Sequence, residues 1–326
     1  METVSGVSNW RLVFRREADG VTLLRAQTCD ARAVLPERIL DLPVTALGNH
    51  ALAPGRRDGE GETLLVTCGP SEPPETWDNQ TLQDLTLPEG LTRLGDYALL
   101  NCSALKTLRI HDGITSWGGG ALMNCRSLDT LHLTRTGPNQ GEALAWFVEE
   151  LSRELDVSIY GPGEETVRLL FPEYTELYEE NCPAHHFDYF ISGAGYPYHH
   201  CFRRKRLSLQ AYDALWRDFL GMEHDASAAL RLAWYRLRWP AELSDAAAEG
   251  YRSYLNAHAG DALRLLLSEK GGADLPFLFN QICPDRESLS AACALARERG
   301  NTPALAVLLE EEHRRFPAGM EKSFTL

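Results

Sequence analysis

The sequence predicts an α+β protein: a short solenoid of 23-residue β/irregular coils behind an N-terminal β-hairpin cap, followed by an α-helical domain. Three observations predict it. Leu82, Leu105 and Leu128 stand 23 residues apart, and the same step relates Leu85, Leu108 and Leu131, then Leu87, Ile110 and Leu133. Asp19-Gly20 joins two alternating apolar runs, a short-range hairpin signal. From Ser208 onward, apolar residues recur at three- and four-residue steps, the helical period.

Composition sets the bounds. The 326 residues, 44% hydrophobic and 24% charged, suit a folded protein of two or three domains. A net charge of -14 argues against nucleic acid or an anionic membrane surface as partner. The Met-Glu-Thr-Val-Ser-Gly start lacks a basic segment and an apolar one, and no run of about 18 apolar residues follows. The expectation is a cytoplasmic chain whose cysteines are reduced, or an extracellular one if a leader has been removed. The expected domains are 1–160, the repeats with their capping elements; 161–206, an aromatic, His- and Cys-rich connector; and 207–326, a bundle of helical hairpins.

The elements follow in order. Arg11–Arg15 and Val21–Arg25 form the hairpin, whose role is to cover the open end of the coils. Ala33–Ile39 with Pro43–Gly48 reads as a degenerate first coil. Residues 54–80 read as one coil swollen by insertions, with a short strand at Leu64–Val66. The regular coils begin at Leu82, each a Leu-x-x-Leu-x-Leu strand and a turn. Each coil leaves its apolar face for a neighbour to cover, so the coils must stack. Cys102 and Cys125 occupy one site in consecutive coils, the inside of a turn. Glu142–Leu155 is predicted as an amphipathic helix over the last coil, and Val157–Tyr160 as a final strand. Helices are expected at 213–220, 226–238, 244–258 and 261–269, with another beginning at Asp285 and ending at Gly300. The last starts with Thr302 as N-cap and Pro303 at N1. Glu310 with Arg314, and Glu311 with Arg315, are expected to pair on its exposed face.

The units Leu85–Cys102 and Leu108–Cys125 resemble BspA-like leucine-rich repeats, whose unit has the form L-x-x-I-x-I-P-x-x-V-x-x-I-G-x-x-A-F-x-x-C. The likeness covers roughly residues 11 to 135. It departs at Leu99 and Leu122, where the family has Phe, and at Trp117, which takes an aliphatic site. The resemblance implies protein–protein interaction and no catalysis.

Two sets of residues carry chemistry. Alternate side chains of the Leu-x-x-Leu-x-Leu strands point outward and stack at 23-residue steps: Asp84, Thr107 and Thr130 in one row, Thr86, Arg109 and His132 in the other. This mixed polar strip is the candidate binding surface, with the wet side of an ordinary sheet as the competing explanation. The second set is Cys182, His185, His200 and Cys201, thiolate and imidazole ligands of the kind that bind zinc. Their spacing matches no standard zinc signature, and half-buried aromatics around a buried thiol are the preferred explanation for them. Arg203–Arg206 is the one basic run and reads as a solvated turn. No phosphate loop, H-E-x-x-H or G-x-S-x-G occurs. The sequence therefore predicts a non-enzymatic scaffold or adaptor with no cofactor and an unidentified protein partner. The alternative is a metal-binding or enzymatic module centred on Cys182–Cys201.

Overall fold

The structure, a computed structural model, describes residues 2–55, 60–69, 77–136, 142–161, 165–181, 186–269 and 272–317. The chain divides into two compact units, Met1–Glu223 and His224–Leu326.

The first unit starts with β1 (Glu2–Ser5) and the antiparallel pair β2 (Trp10–Arg16) and β3 (Val21–Gln27). The turn between them closes when the Glu17 N–H donates to the Gly20 carbonyl at 2.8 Å. Next come β4 (Arg32–Val34), β5 (Arg38–Ile39), β6 (Leu42–Leu47) and β7 (Glu62–Thr67). The regular repeats supply β8 (Asp84–Thr86), β9 (Arg93–Leu94), β10 (Thr107–His111), β11 (Ser116–Trp117) and β12 (Thr130–Thr134). They are followed by α1 (Ala143–Glu150), β13 (Leu155–Tyr160) and β14 (Glu165–Phe171).

Two sheets result. The first runs β14-β13-β12-β10-β8-β4, and the second runs β1-β7-β2-β3-β6-β9-β11. Repeat strands pair parallel at the 23-residue step, so Leu85, Leu108 and Leu131 lie side by side and are fully buried. The turns repeat too. Asn101 and Asn124 adopt positive φ, the left-handed region that Asn tolerates best after glycine, and the Asn124 side-chain amide donates to Asn101 at 2.8 Å. The buried Cys102 and Cys125 thiols each point at a carbonyl of the preceding coil, Leu52 at 3.5 Å and Leu99 at 3.2 Å. Burial pushes the Cys125 thiol up to about 12, and Cys102 higher still, so both stay protonated. Gly48, Gly95 and Gly118 form a third row. A Cβ on Gly118 would sit 2.2 Å from the Gly95 carbonyl carbon, so these coils approach closer than any side chain allows.

The stretch expected to be a swollen coil is something else. Its strand β7 leaves the repeat and pairs antiparallel with β2 and parallel with β1, widening the second sheet beyond the hairpin. The chain returns through Asn79, a buried side chain that bonds Thr28, Ala26 and Leu52. The helix after the repeats is shorter than expected: α1 ends at Glu150 and Leu155 opens β13. Nor is β13 the last strand, since β14 adds to it antiparallel. Both outer strands of the first sheet have peptides engaged by side chains. Ser8 Oγ accepts from the Val34 N–H at 3.0 Å, and Trp10 Nε1 donates to the Val34 carbonyl at 2.8 Å. On β14, Tyr212 donates to the Leu170 carbonyl at 2.5 Å and accepts from its N–H at 3.2 Å.

The rest of this unit holds the hairpin β15 (Thr175–Asn181) and β16 (His186–Ser192), α2 (Tyr196–His199), β17 (Phe202–Arg203) and β18 (Arg206–Leu207). It ends with α3 (Leu209–Ala214) and α4 (Trp216–Gly221), two short helices where one had been expected. The basic run is the tight turn between β17 and β18, with Arg204 and Lys205 at positive φ. Lys205 pairs with Glu149 of α1 and lies 4.4 Å from the Trp146 ring centre, so this turn is anchored rather than freely solvated.

The second unit contains α5 (Ala226–Arg238), α6 (Asp245–Ala257), α7 (Ala259–Glu269), α8 (Leu275–Gln281), α9 (Arg286–Glu298) and α10 (Thr302–Arg315). Asp225, Ser244 and Asp285 cap α5, α6 and α9 by accepting a backbone N–H three residues on. The helix α8 is not among the helices expected, although Asp274 and Pro276 mark its start. The N-cap of α10 is Asn301, not Thr302, because the Asn301 side chain accepts from the Ala304 N–H at 3.1 Å. The expected Glu310–Arg314 pair is replaced by Arg314 with Glu311, while the Glu311–Arg315 pair forms. Glu311 is buried, and Arg315 also donates to the Phe279 and Ile282 carbonyls, so the pairs bind α10 to α8 rather than decorate a wet face.

Candidate functional site

The six residues of the predicted strip come together. Parallel pairing places Asp84, Thr107 and Thr130 in one row and Thr86, Arg109 and His132 in the next. The rows extend in both directions. Arg32 and Val34 of β4 stand beside Asp84 and Thr86, and Asp156 and Ser158 of β13 stand beside Thr130 and His132. Five parallel strands about 4.8 Å apart thus carry two continuous outward rows. Three of the charges in them, Asp84, Arg109 and Asp156, have partners. Arg109 bonds Asp84, Arg168 grips Asp156 through two bonds of 2.9 and 2.6 Å, and His132 Nδ1 lies 3.0 Å from the Tyr160 hydroxyl. Asp156 and Arg168 escaped sequence reasoning because β13 and β14 lie outside the 23-residue step.

The second sheet carries a cleft of about 1220 Å³ across β3, β6, β9 and β11. Thr22, Ala46, Arg93 and Ser116 occupy one register row, and the residues after the next row are Leu24 followed by the three glycines. At the three glycines backbone lines the cleft, beside the side chains of Leu24, Asn49 and His50. Arg15 and Arg93 stand at the rim with 65% and 51% of their side chains exposed, and each reaches Glu17 at 3.4 Å. Glu17 makes a closer bond, 2.7 Å, with the Thr22 hydroxyl, which leads the interactions that lower its pKa and keep it ionised. Trp117 closes one end. Its ring meets Phe147 edge-on at 4.8 Å and its Nε1 donates to Glu150 at 2.8 Å. The other oxygen of Glu150 accepts from the Leu122 N–H at 2.8 Å. In earlier coils the equivalent N–H groups, Leu52 and Leu99, donate to a carbonyl of the next coil. Glu150 therefore stands in for the coil that never follows, and burial raises its pKa. No single spacing in the sequence signals the cleft, since Arg15 and Glu17 reach Arg93 only through the order of the sheet.

The alternative cluster is not assembled among the described residues. Cys182 and His185 lie outside them. His200 is exposed, stacks on Tyr196 at 4.0 Å and bonds the Tyr196 carbonyl, whereas the Cys201 thiol is buried and pushed up to about 12. Among the described residues no group of three His, Cys, Asp or Glu side chains is placed to hold a metal. The neighbouring His199 is fully buried, with Nδ1 and Nε2 each 2.9 Å from a carbonyl, those of Val148 and Pro172. Burial lowers its pKa despite these contacts, so it joins α1 to the chain after β14 as a structural imidazole. Among the described residues no helix is long and apolar enough to cross a membrane.

No curated protein matches the chain. One similar solved structure is a leucine rich cell surface protein from Faecalibacterium prausnitzii A2-165, 18% identical, with a TM-score of 0.26. The match covers 47% of this chain and 42% of that one, less than half of either. A family model described as BspA type leucine rich repeat region (6 copies) matches residues 73–143, the stretch that builds β8 through β12. Residues 73–143 are a BspA-type leucine-rich-repeat region.

Proposed function

We propose that this chain is a non-enzymatic protein-binding protein whose repeat coils form a short solenoid that presents the partner surface. The observation that carries the reading is the pair of rows in register across five strands, polar and half-buried at Asp84, Thr107, Thr130, Thr86, Arg109 and His132. A surface of this kind is rigid, because every strand beneath it is tied to its neighbours and to a leucine core. It offers donors, acceptors and two ion pairs at fixed spacing, which is how stacked repeats recognise partners. The peptides of both outer strands that meet Ser8, Trp10 and Tyr212 are occupied, which favours recognition by the face over addition of a strand at the edge.

The test is quantitative capture from lysate by wild type and by the double variant Arg109→Ala/His132→Ala. Both changes remove half-buried side chains from the face and leave the leucines untouched. The expected outcome is an unchanged unfolding profile with at least tenfold loss of the captured partner. Equal capture by both proteins would remove the strip from the account. Elemental analysis of the purified chain tests the metal-module alternative: stoichiometric zinc or iron would revive it.

A further inference from the structure

We propose that the cleft on the second sheet is a binding site for an acidic, extended peptide segment of the protein partner. The inference rests on the protein-binding reading, but on different residues. Its basis is charge in the wrong place for the molecule as a whole. The chain carries -14, yet among the described residues the cleft gathers Arg15, Arg25 and Arg93 around only Glu17 and Asp96. Both carboxylates are already engaged, Glu17 by the Thr22 hydroxyl and Asp96 by the Gly119 N–H at 2.8 Å.

The guanidiniums at the rim keep capacity. Among the described residues Arg15 donates through Nη2 alone, and so does Arg93, to Glu17 or Thr22 at 3.3 to 3.4 Å. A guanidinium has five N–H donors, and its bonds to a well-placed carboxylate run to about 2.7–2.9 Å. An incoming carboxylate would therefore form closer, two-pronged contacts than Glu17 does, without breaking Glu17's bond to Thr22. The dimensions favour a peptide over a lone anion. The cleft crosses four strands, about 14 Å at ~4.8 Å per strand, which an extended segment of about four residues spans. The glycine backbone in its lining lets main chain approach main chain, and the fixed Trp117 ring forms an end wall. Long-range repulsion between an acidic chain and acidic segments is screened beyond about 10 Å at moderate salt, so contact chemistry decides.

The experiment titrates full-length protein against fluorescein-labelled hexaglutamate, with labelled hexalysine alongside. Net charge alone would favour hexalysine, so the expected order is the reverse of nonspecific attraction. Hexaglutamate should bind saturably. Arg15→Ala/Arg93→Ala should weaken it at least tenfold with an unchanged melting profile, Arg93→Lys should weaken it less, and Glu17→Gln should tighten it several-fold. No saturable binding at millimolar peptide, binding indifferent to the double arginine change, or preference for hexalysine would each overturn the proposal. If hexaglutamate fails while Arg109→Ala/His132→Ala still abolishes partner capture, the cleft falls and the protein-binding reading stands. If neither pair of substitutions alters capture, that reading falls as well.

Discussion

The two larger sheets of the first unit both take strands from the 23-residue unit and treat their charges differently. On the first sheet, Arg109 meets Asp84 and Arg168 meets Asp156, each diagonally across adjacent strands. On the second, Arg15 and Arg93 share Glu17 at arm's length around a cleft lined in part by glycine backbone. The strand segments explain the difference. β10 and β12 are five residues long, enough to project two or three outward side chains each, whereas β9 and β11 are two residues long and run straight into a glycine. A repeat with leucines on the inside thus builds one face closed by its own side chains and another left open by their absence.

Substitutions at three positions break or sharpen that contrast. The largest effect belongs to Leu108, the central buried leucine shared by the coils. Leu108→Ala should cost about 2–5 kcal/mol, and Leu108→Asp more, because a carboxylate there would have no partner. Both sheets should be lost together, read as collapse of hydrogen-exchange protection in β8–β12; protection surviving on the second sheet in Leu108→Asp would show that the two faces fold separately. Next comes Gly118→Ala, whose Cβ lands on Gly95 backbone. The strain should cost about 1–3 kcal/mol and spread from β11 and β9, with the first sheet less affected. An unchanged denaturation midpoint would mean that the coils can separate at little cost.

The smallest effect is tied to pH and to the end of the second sheet. Burial raises the Glu150 pKa, so between the ordinary glutamate range and that raised value the folded chain holds the proton more tightly than the unfolded one. The contribution of this carboxyl to stability is full at low pH and declines as pH rises through the folded value. Glu150→Gln cannot titrate, so the stability of wild type relative to this variant should fall as pH rises from the ordinary glutamate range through that raised value. A difference that stays constant across that window would contradict the assignment of Glu150 as a buried terminator.

Much of this was legible in the sequence because a repeat is a local statement made several times. Leu85, Leu108 and Leu131 announce a buried ladder, and the rows Asp84–Thr107–Thr130 and Thr86–Arg109–His132 follow from alternation alone. The hairpin was equally plain from Asp19-Gly20. What stayed hidden depends on long-range pairing. Leu64–Val66 reads as a strand, but only the fold shows that it joins β2 and β1 rather than a coil. The cleft needs residues 15–22 to meet residues 93–118 across β6, and no periodicity encodes that meeting. At the C-terminal end, Asn301 and Thr302 are both good caps by residue type, and only the bond to the Ala304 N–H chooses between them.

The central claim is that partner recognition belongs to the two larger sheets of the first unit, the strip on one and the cleft on the other. Hydrogen–deuterium exchange of the full chain, free and saturated with the captured partner, tests it most directly. The account predicts slowed exchange in β8, β10 and β12, in the loops around Gly48, Gly95 and Gly118, or in both, with little change across residues 224–317. Slowed exchange confined to α5–α10 would contradict it.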